Sequence, residues 1–409
     1  MSLSRSFRVL WGANALSNLA DGLAFVSMPL LAASFTDDPR IIAGLATLYA
    51  VVRLFVALPI GVVVDRLERR KLIVVANLLR GLALLGFALS LQFGLSSLVA
   101  LYLAMAVVAA LESTADNAAV AILPSLVDRG RLEAANGRIA AAQLVADEFV
   151  GPPLGGLLIA VAASAPVFAM GGLWSAAGLI ALALPARRAR REHDLSSQQR
   201  IAGSFPSPME MYRESMDGLA WLARHKLVGG LALIGALASI GYMLAFSILV
   251  LIARDRLGLG ETAYGFLLAF SALGGLLATF AAPALRRRLG AKWTIAASLL
   301  LGALSLGGLT FTTDPLIAGA LLAVYIFHAV VWNICSTSLR QRLVPDSLLG
   351  KVGGATRVMG LSGLAIGSLA GGLLGTISLM IPVATASGVF VICTVLAAVL
   401  IDDESFCED

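Results

Sequence analysis

Five carboxylates stand inside runs of otherwise apolar residues: Asp21, Glu112, Asp116, Asp147 and Glu148. Two arginines, Arg53 and Arg80, do the same. A carboxylic acid in a low-dielectric medium has two chemistries open to it. It can be ionised and locked to a cation, or neutral and able to exchange a proton as its surroundings change. Asp21, Glu148, Asp147 and Glu112 are the candidates for reversible protonation, with Arg53, Arg80 and Asp116 as charge partners. A charge at the centre of a membrane helix costs roughly 2.5–3.5 kcal/mol on insertion scales, so each of these residues needs a reason.

The runs that carry them define the elements. The chain has 409 residues, 59% hydrophobic and only 13% charged, with a mean hydropathy of +0.90. A soluble globule carries about a quarter charged residues. Apolar stretches of about 20 residues, long enough to cross a hydrocarbon core of about 30 Å, occur at 8–35, 40–64, 72–93, 98–123, 134–163, 166–185, 227–253, 262–285, 291–312, 315–339, 348–376 and 379–401. Their length excludes barrel strands, which are about ten residues long and alternate in polarity. The expected fold is all-α, a polytopic membrane protein of twelve transmembrane helices.

Lys and Arg set the expected orientation. With the N-terminus inside, 25 of the 30 basic residues fall in inner segments, against Arg40, Arg254 and Arg256 outside and Arg53 and Arg80 within spans. By the positive-inside rule both termini are cytoplasmic, in an inner or plasma membrane. The pI near 9.4 then reports topology, and no nucleic-acid partner is expected. The first apolar run is too long for a cleavable signal peptide and lacks a small-residue cleavage pattern. Cys335, Cys393 and Cys407 are odd in number and lack CxxC spacing, so neither a disulfide framework nor a metal site is expected. No G-x-S-x-G, P-loop or HExxH occurs, so neither an enzyme nor an ATP-driven machine is indicated, and no cofactor is expected.

The sequence also repeats itself. ILPSLVDRGRLEAANGR after the fourth span is matched by RLVPDSLLGKVGGATR after the tenth, and GPPLGGLLI in the fifth by GSLAGGLLG in the eleventh. A shift of 216 to 221 residues superimposes them. The expected division is 1–185, a six-helix half; 186–226, a central loop; and 227–409, a second six-helix half. Within the loop Met209, Tyr212, Met216, Leu219 and Leu222 or Ala223 recur at helical spacing, the pattern of an amphipathic interfacial helix. Pseudo-repeated halves of this kind are how secondary transporters place a site near the bilayer midplane.

Between the second and third spans lies GVVVDRLERRKL, with Gly61, Asp65, Arg66, Arg69, Arg70 and Lys71. It resembles the loop signature G-x-x-x-D-R-x-x-R-R-K of the major facilitator superfamily, with Glu68 where a glycine is usual. The twelve-span plan and central loop extend the resemblance over essentially the whole chain. ALPIGVVVDRLERRKLIVVANLLRG and DGLAWLARHKLV look like the macrolide-efflux and enterobactin-exporter branch of its drug/proton antiporters. The resemblance implies alternating access, an ion gradient as energy source, a small-molecule substrate, a monomer in the lipid bilayer, and Asp65 as a gating latch. GPPLGG, with Gly151, Pro152, Gly155 and Gly156, matches the tail of the antiporter signature, although Arg138 and Asp147 stand where that signature has glycines. A generic kinked packing face is the other reading.

Counted at about 1.5 Å per residue from each inner end, Asp21, Arg53, Glu112, Asp147 and Glu148 lie about 16–22 Å deep, and Arg80 and Asp116 about 10–12 Å. This matches Arg80 with Asp116 and Arg53 with a mid-depth acid. Asp21 is favoured as the coupling acid because the first span lines the cavity in the family's fold and because Asn18, Gly22 and Ser27 beside it form a polar, hydratable strip. Asn14, Asn18, Tyr242, Phe246, His328, Trp332 and Asn333, on the first, seventh and tenth spans, are candidates for a substrate cavity. His328 is read as a core residue, a substrate contact or a proton relay. The combined expectation is a proton-coupled exporter of amphipathic molecules such as macrolide-like drugs or a siderophore, with an uptake symporter, a lipid flippase or a transport-inactive sensor as alternatives.

The latch role predicts that Asp65→Asn lowers transport at least about tenfold, equivalent to about 1.4 kcal/mol, without loss of membrane expression. Wild-type rates in a well-expressed Asp65→Asn protein would remove that role.

Overall fold

The computed structural model describes residues 4–185, 217–345 and 348–401. The first part of the expected interfacial helix, with Met209, Tyr212 and Met216, therefore lies outside the described residues, as does Cys407. The helices are α1 (Arg5–Phe35), α2 (Pro39–Arg66), α3 (Arg69–Gln92), α4 (Leu98–Ile122), α5 (Leu132–Val161), α6 (Ala165–Ala181), α7 (Lys226–Phe246), α8 and α9 (261–289 and 291–309), α10 (Pro315–Leu343), α11 (Leu349–Gly375) and α12 (Met380–Leu400). Among the described residues, ten helical stretches are long and apolar enough to span a membrane. One of them, Glu261–Leu309, is broken at Gly290, whose φ of 76° only glycine adopts readily, and so supplies two crossings. With the shorter α6, this gives the twelve helices expected.

Local chemistry sets the boundaries. α2 and α10 both begin Asp-Pro: Asp38 accepts from the amide of Arg40 at 2.9 Å, and Asp314 from Leu316 and Ile317 at 2.7 and 3.1 Å. The aspartate satisfies amides that have no helical partner, and proline fits the first turn, where its missing N–H costs nothing. Arg40 also clasps the Asp38 carboxylate at 2.7 Å, which holds that carboxyl below its usual range. In α5 the helix opens into a π-turn over Val145–Val150 immediately before GPPLGG. An extra residue per turn of this kind is frequent at functional positions.

The described residues form two compact units: one holds those up to Leu31 and from Val52 through 185, the other Ala32–Val51 and those from 217 on. The segment Ala32–Val51 departs from a division at the central loop. It packs within the second unit because Gly372 and Gly375 of α11 leave room for Pro39, Arg40 and Ala43 of α2, and Thr47 meets the Ser368 hydroxyl at 2.8 Å. Arg254 joins Asp37 at 2.8 Å in the same unit. The described end of the central segment, 217–224, is helical, and Leu222 is buried with Val228, Val344, Val352 and Ala355.

Each unit contains the same close helix contact. In the first, a Cβ on Gly155 of α5 would come to 2.9 Å from Ser27 Oγ and 3.2 Å from Leu23 O of α1, and one on Gly151 to 2.6 Å from Gly22. In the second, a Cβ on Gly371 of α11 would come to 2.7 Å from both Leu244 O and Ser247 Oγ of α7, and one on Gly367 would meet Ile240. Gly151 and Gly155 correspond to Gly367 and Gly371, and Leu23 and Ser27 to Leu244 and Ser247, at the repeat spacing read from the sequence. Small residues drive such contacts in lipid, where close packing has to supply the attraction that the hydrophobic effect supplies in water.

Gly151→Ala is therefore expected to destabilise the detergent-solubilised protein by about 1–3 kcal/mol, the usual cost of overpacking. Gly137→Ala, on the same helix with open space around it, should be neutral or stabilising by about 0.5–1 kcal/mol. Equal melting temperatures for the two variants would show that the α1–α5 contact is loose.

Candidate functional site

Two of the membrane-embedded acids of the first unit, Asp21 and Glu112, converge on Arg80. This side chain is wholly buried on α3, and its guanidinium carbon lies over Trp174 of α6, 4.1 Å from the ring centroid. It forms an ion pair with Asp21 of α1, approaches Glu112 of α4 at 3.8 Å, and donates to Ser17 Oγ at 3.2 Å. Arg53 of α2 reaches the other oxygen of Glu112 at 3.2 Å. The result is a continuous line, Arg53, Glu112, Arg80 and Asp21, across four helices. Ser17 extends it by donating to Asn77 Oδ1 at 3.2 Å, and Asn77 donates to Ile73 O at 3.0 Å.

Local spacing puts these groups in register. Ser17 and Asp21 are four residues apart on α1, and Asn77 and Arg80 three apart on α3, so each pair shares a helix face. Beyond them Asn14, Ser17, Asn77 and Asp116 line a cavity of 10 Å³, about the room one water needs. Asp116 and Asp147 stand within electrostatic range of Asp21.

The sequence expectation matched Arg80 with Asp116, and this is corrected: the ion pairs of Arg80 are with Asp21 and Glu112. Depth counted along each helix locates the Cα, whereas a long arginine stem carries its charge away from that level. The strip beside Asp21 is also drier than expected. Asn18 and Ser27 are buried, with Asn18 Nδ2 and Ser27 Oγ lacking partners among the described residues, and Gly22 lies against the backbone of Ala146 and Asp147. Both acids of α5 sit on the π-turn; Asp147 Oδ1 is buried with no hydrogen-bond partner among the described residues, and Glu148 is exposed.

The loop motif divides. The side chains of Asp65 and Arg66, like the surroundings of Gly61, lie outside the described part. Arg69 donates to Ala121 O in the last turn of α4 at 2.8 Å, and Arg70 to Leu182 O just past α6 at 2.5 Å. Cations there answer the unpaired carbonyls and negative dipole of a helix C-terminus. Lys71 pairs with Glu68 at 3.2 Å.

The cavity candidates of the second unit separate into two groups. Tyr242 stacks with Tyr325 at a centroid distance of 6.3 Å, and Phe246 is tilted against it at 5.2 Å. His328 is 2% exposed; its Nδ1 meets Tyr325 O, its ring is edge-on to Phe390, and it fills the space left by the missing side chain of Gly302. It is thus placed in the core and not on a cavity wall, because α9 offers a glycine where a side chain would have pushed the ring outward. Trp332 and Asn333 line a different space, described below. Sequence reasoning missed Ser17, Asn77 and Trp174; the first two were readable from their spacing to Asp21 and Arg80, while the tryptophan had no local signal.

A profile of the Major Facilitator Superfamily matches residues 10–228 and 231–406. The chain belongs to that superfamily. This superfamily member is 28% identical over 410 residues to the enterobactin exporter EntS of Shigella boydii serotype 4 (strain Sb227), covering 98% of this chain and 93% of the relative, and equally so to EntS of Escherichia coli O6:K15:H31. Among solved structures, a bacterial homologue of the iron transporter ferroportin in an inward-facing state aligns with a TM-score of 0.73 at 20% identity, over 97% of this chain and 98% of that one. The nucleoside transporter NupG aligns with a TM-score of 0.69 at 14% identity, over 97% of each chain. The structural likenesses establish the fold. The protein is a multi-pass membrane transporter.

Breaking a buried ion pair by removing one partner costs about 3–5 kcal/mol, since it strands the other charge. Arg80→Met is expected to destabilise the purified protein by that order, and adding Asp21→Asn should restore part of the loss. Additive effects of the two substitutions on the unfolding midpoint would mean that Arg80 and Asp21 are not coupled.

Proposed function

We propose that this transporter exports amphipathic small molecules by exchanging them for protons in an alternating-access cycle. The observation that carries the reading is the pairing of Asp21 and Glu112 with the two arginines of the first unit, with Asp116 and Asp147 also within electrostatic range of Asp21. Acids in such excess cannot all be ionised in a low dielectric without heavy cost, so at least one is held where its proton can be exchanged. Asp21 is the primary candidate. Its partner Arg80 is fully buried while its own side chain keeps 20% exposure, so the carboxylate can trade the arginine for a proton when α1 moves. Asp147 and Glu148 on the π-turn are the alternatives, and Glu112, held between two arginines, is the weakest.

The direction of transport rests on the exporters among the relatives and on the GPPLGG stretch, which here makes the closest α1–α5 contact. The excess of basic residues in alternate loops supports cytoplasmic termini in an inner or plasma membrane. The two compact units broadly follow the proposed six-helix halves, each closed by its own glycine contact, which supports a monomer as the working form. Macrolide-like drugs and siderophores are the substrate classes to test, and Asp65 remains the proposed latch.

In proteoliposomes with an imposed pH gradient, Asp21→Asn is expected to lower pH-driven accumulation of a responsive macrolide or siderophore at least about tenfold while leaving substrate binding intact. Survival of pH-driven transport in Asp21→Asn with its loss in Glu148→Gln or Asp147→Asn would move the coupling acid to α5. Undiminished coupling in all of these variants would refute proton exchange.

A further inference from the structure

The second unit contains an amphipathic cavity of 190 Å³ walled by α7, α10 and α11, which neither the charge network nor the aromatic cluster uses. α10 presents Trp332 and Arg340 to it, eight residues apart and so on one helix face, separated by about 12 Å along the axis. Asn333 and Thr337 lie between them, and Thr356 of α11 stands opposite. On α7, Gly235 leaves the Trp332 ring uncovered: a Cβ there would still be 3.9 Å from it.

The hydrogen bonds already made define what the cavity lacks. Thr356 spends its proton on Val352 O at 2.8 Å, and Thr337 donates to Asn333 Oδ1 at 3.4 Å. Their oxygens face the cavity as acceptors. Arg340 has no carboxylate within ion-pair distance among the described residues; Asp217 is taken by Lys351 at 3.5 Å. The planar fork of the Arg340 guanidinium, lining a recess beside Asn333, Thr337 and Thr356, suits a carboxylate or similar oxyanion.

We propose that this cavity is a substrate subsite for a planar organic anion: the acid group on Arg340, hydroxyl or amide donors on Thr337 and Thr356, and an aromatic or flat apolar face on Trp332. At 190 Å³ the cavity is smaller than the roughly 300–1,000 Å³ of a drug-sized site. It takes one ring system with its acid group, the anionic end of a larger amphipathic substrate. The inference builds on the transport reading by naming its substrate class, and it does not depend on which acid carries the proton.

The test is equilibrium binding to the purified full-length protein in detergent, without any gradient, so its result is independent of proton coupling. The probes are 3-hydroxy-2-naphthoate and its uncharged counterpart 3-hydroxy-2-naphthamide. Wild-type protein is expected to prefer the acid at least about tenfold, and Arg340→Gln to remove that preference, each about 1.4 kcal/mol. Arg340→Lys should keep part of the preference, since a point charge replaces the fork, and Trp332→Leu should weaken both probes alike. Equal affinities for the two probes in wild-type protein, no saturable naphthoate binding, or a preference that persists in Arg340→Gln would each overturn the subsite. The comparison of probes in wild-type protein needs no variant, so it stands even where Arg340→Gln folds poorly.

Discussion

Burying a charge in a low-dielectric interior costs several kcal/mol, and the first unit is arranged around meeting that cost at Arg80. The guanidinium is fully buried: it donates to Asp21 and Ser17, Glu112 approaches at 3.8 Å and Trp174 lies beside it, while Arg80 Nε has no hydrogen-bond partner among the described residues. Those four groups come from three other helices, so the requirement of one side chain fixes the mutual positions of α1, α3, α4 and α6. Arg53 then adds α2 through Glu112. Buried ion pairs are poor sources of net stability but strong determinants of arrangement, because any other packing leaves a charge stranded. The same property makes the network sensitive to protonation: neutralising one carboxylate changes which partners Arg80 can satisfy.

Backbone proximity is the second constraint. α1 meets α5 across Gly22, Gly151 and Gly155, and α7 meets α11 across Gly363, Gly367 and Gly371, with too little space for a Cβ at most of these positions. Small residues let the two backbones of each pair approach closely, a geometry suited to small relative shifts. In the first unit the π-turn at Val145–Val150 abuts this contact and holds Asp147 and Glu148. A protonation event on α5 and a shift of α5 against α1 therefore involve the same few residues. The second unit repeats the contact without the acids, and its amphipathic cavity presents a cation instead.

Much of this was legible in the residues alone. Twelve apolar runs of bilayer length have no alternative to helices, since lipid offers no partner to an exposed amide or carbonyl. The internal repeat announced that Gly155 and Gly371 would play matching parts, and the Asp-Pro starts of α2 and α10 marked their own boundaries. The inward position of Asp21 and Glu112 followed from the cost of exposing a charge to lipid, whereas Glu148 is exposed. The four-residue spacing of Ser17 and Asp21 on one face of α1 was also readable, although the choice of Asp21 rested on Asn18, Gly22 and Ser27 instead.

What the sequence could not contain was the matching of charges across helices. Arg80 selects Asp21 and Glu112 because side-chain reach and the rotation of each helix about its axis decide the meeting points, and neither is encoded in distance along a span. The same holds for His328, which its neighbours in sequence left open between core and cavity until Gly302, on another helix, supplied the space that buries it. Arg340 read as one more topological charge near a helix end, and only the packing of α7 and α11 beside it made a recess around it. Local sequence thus determined which segments cross the membrane and which residues they carry inward. The tertiary structure decided the partners, because hydrophobic burial is non-directional, whereas a buried charge or a ring is satisfied only by the particular groups that helix packing brings within a few ångströms.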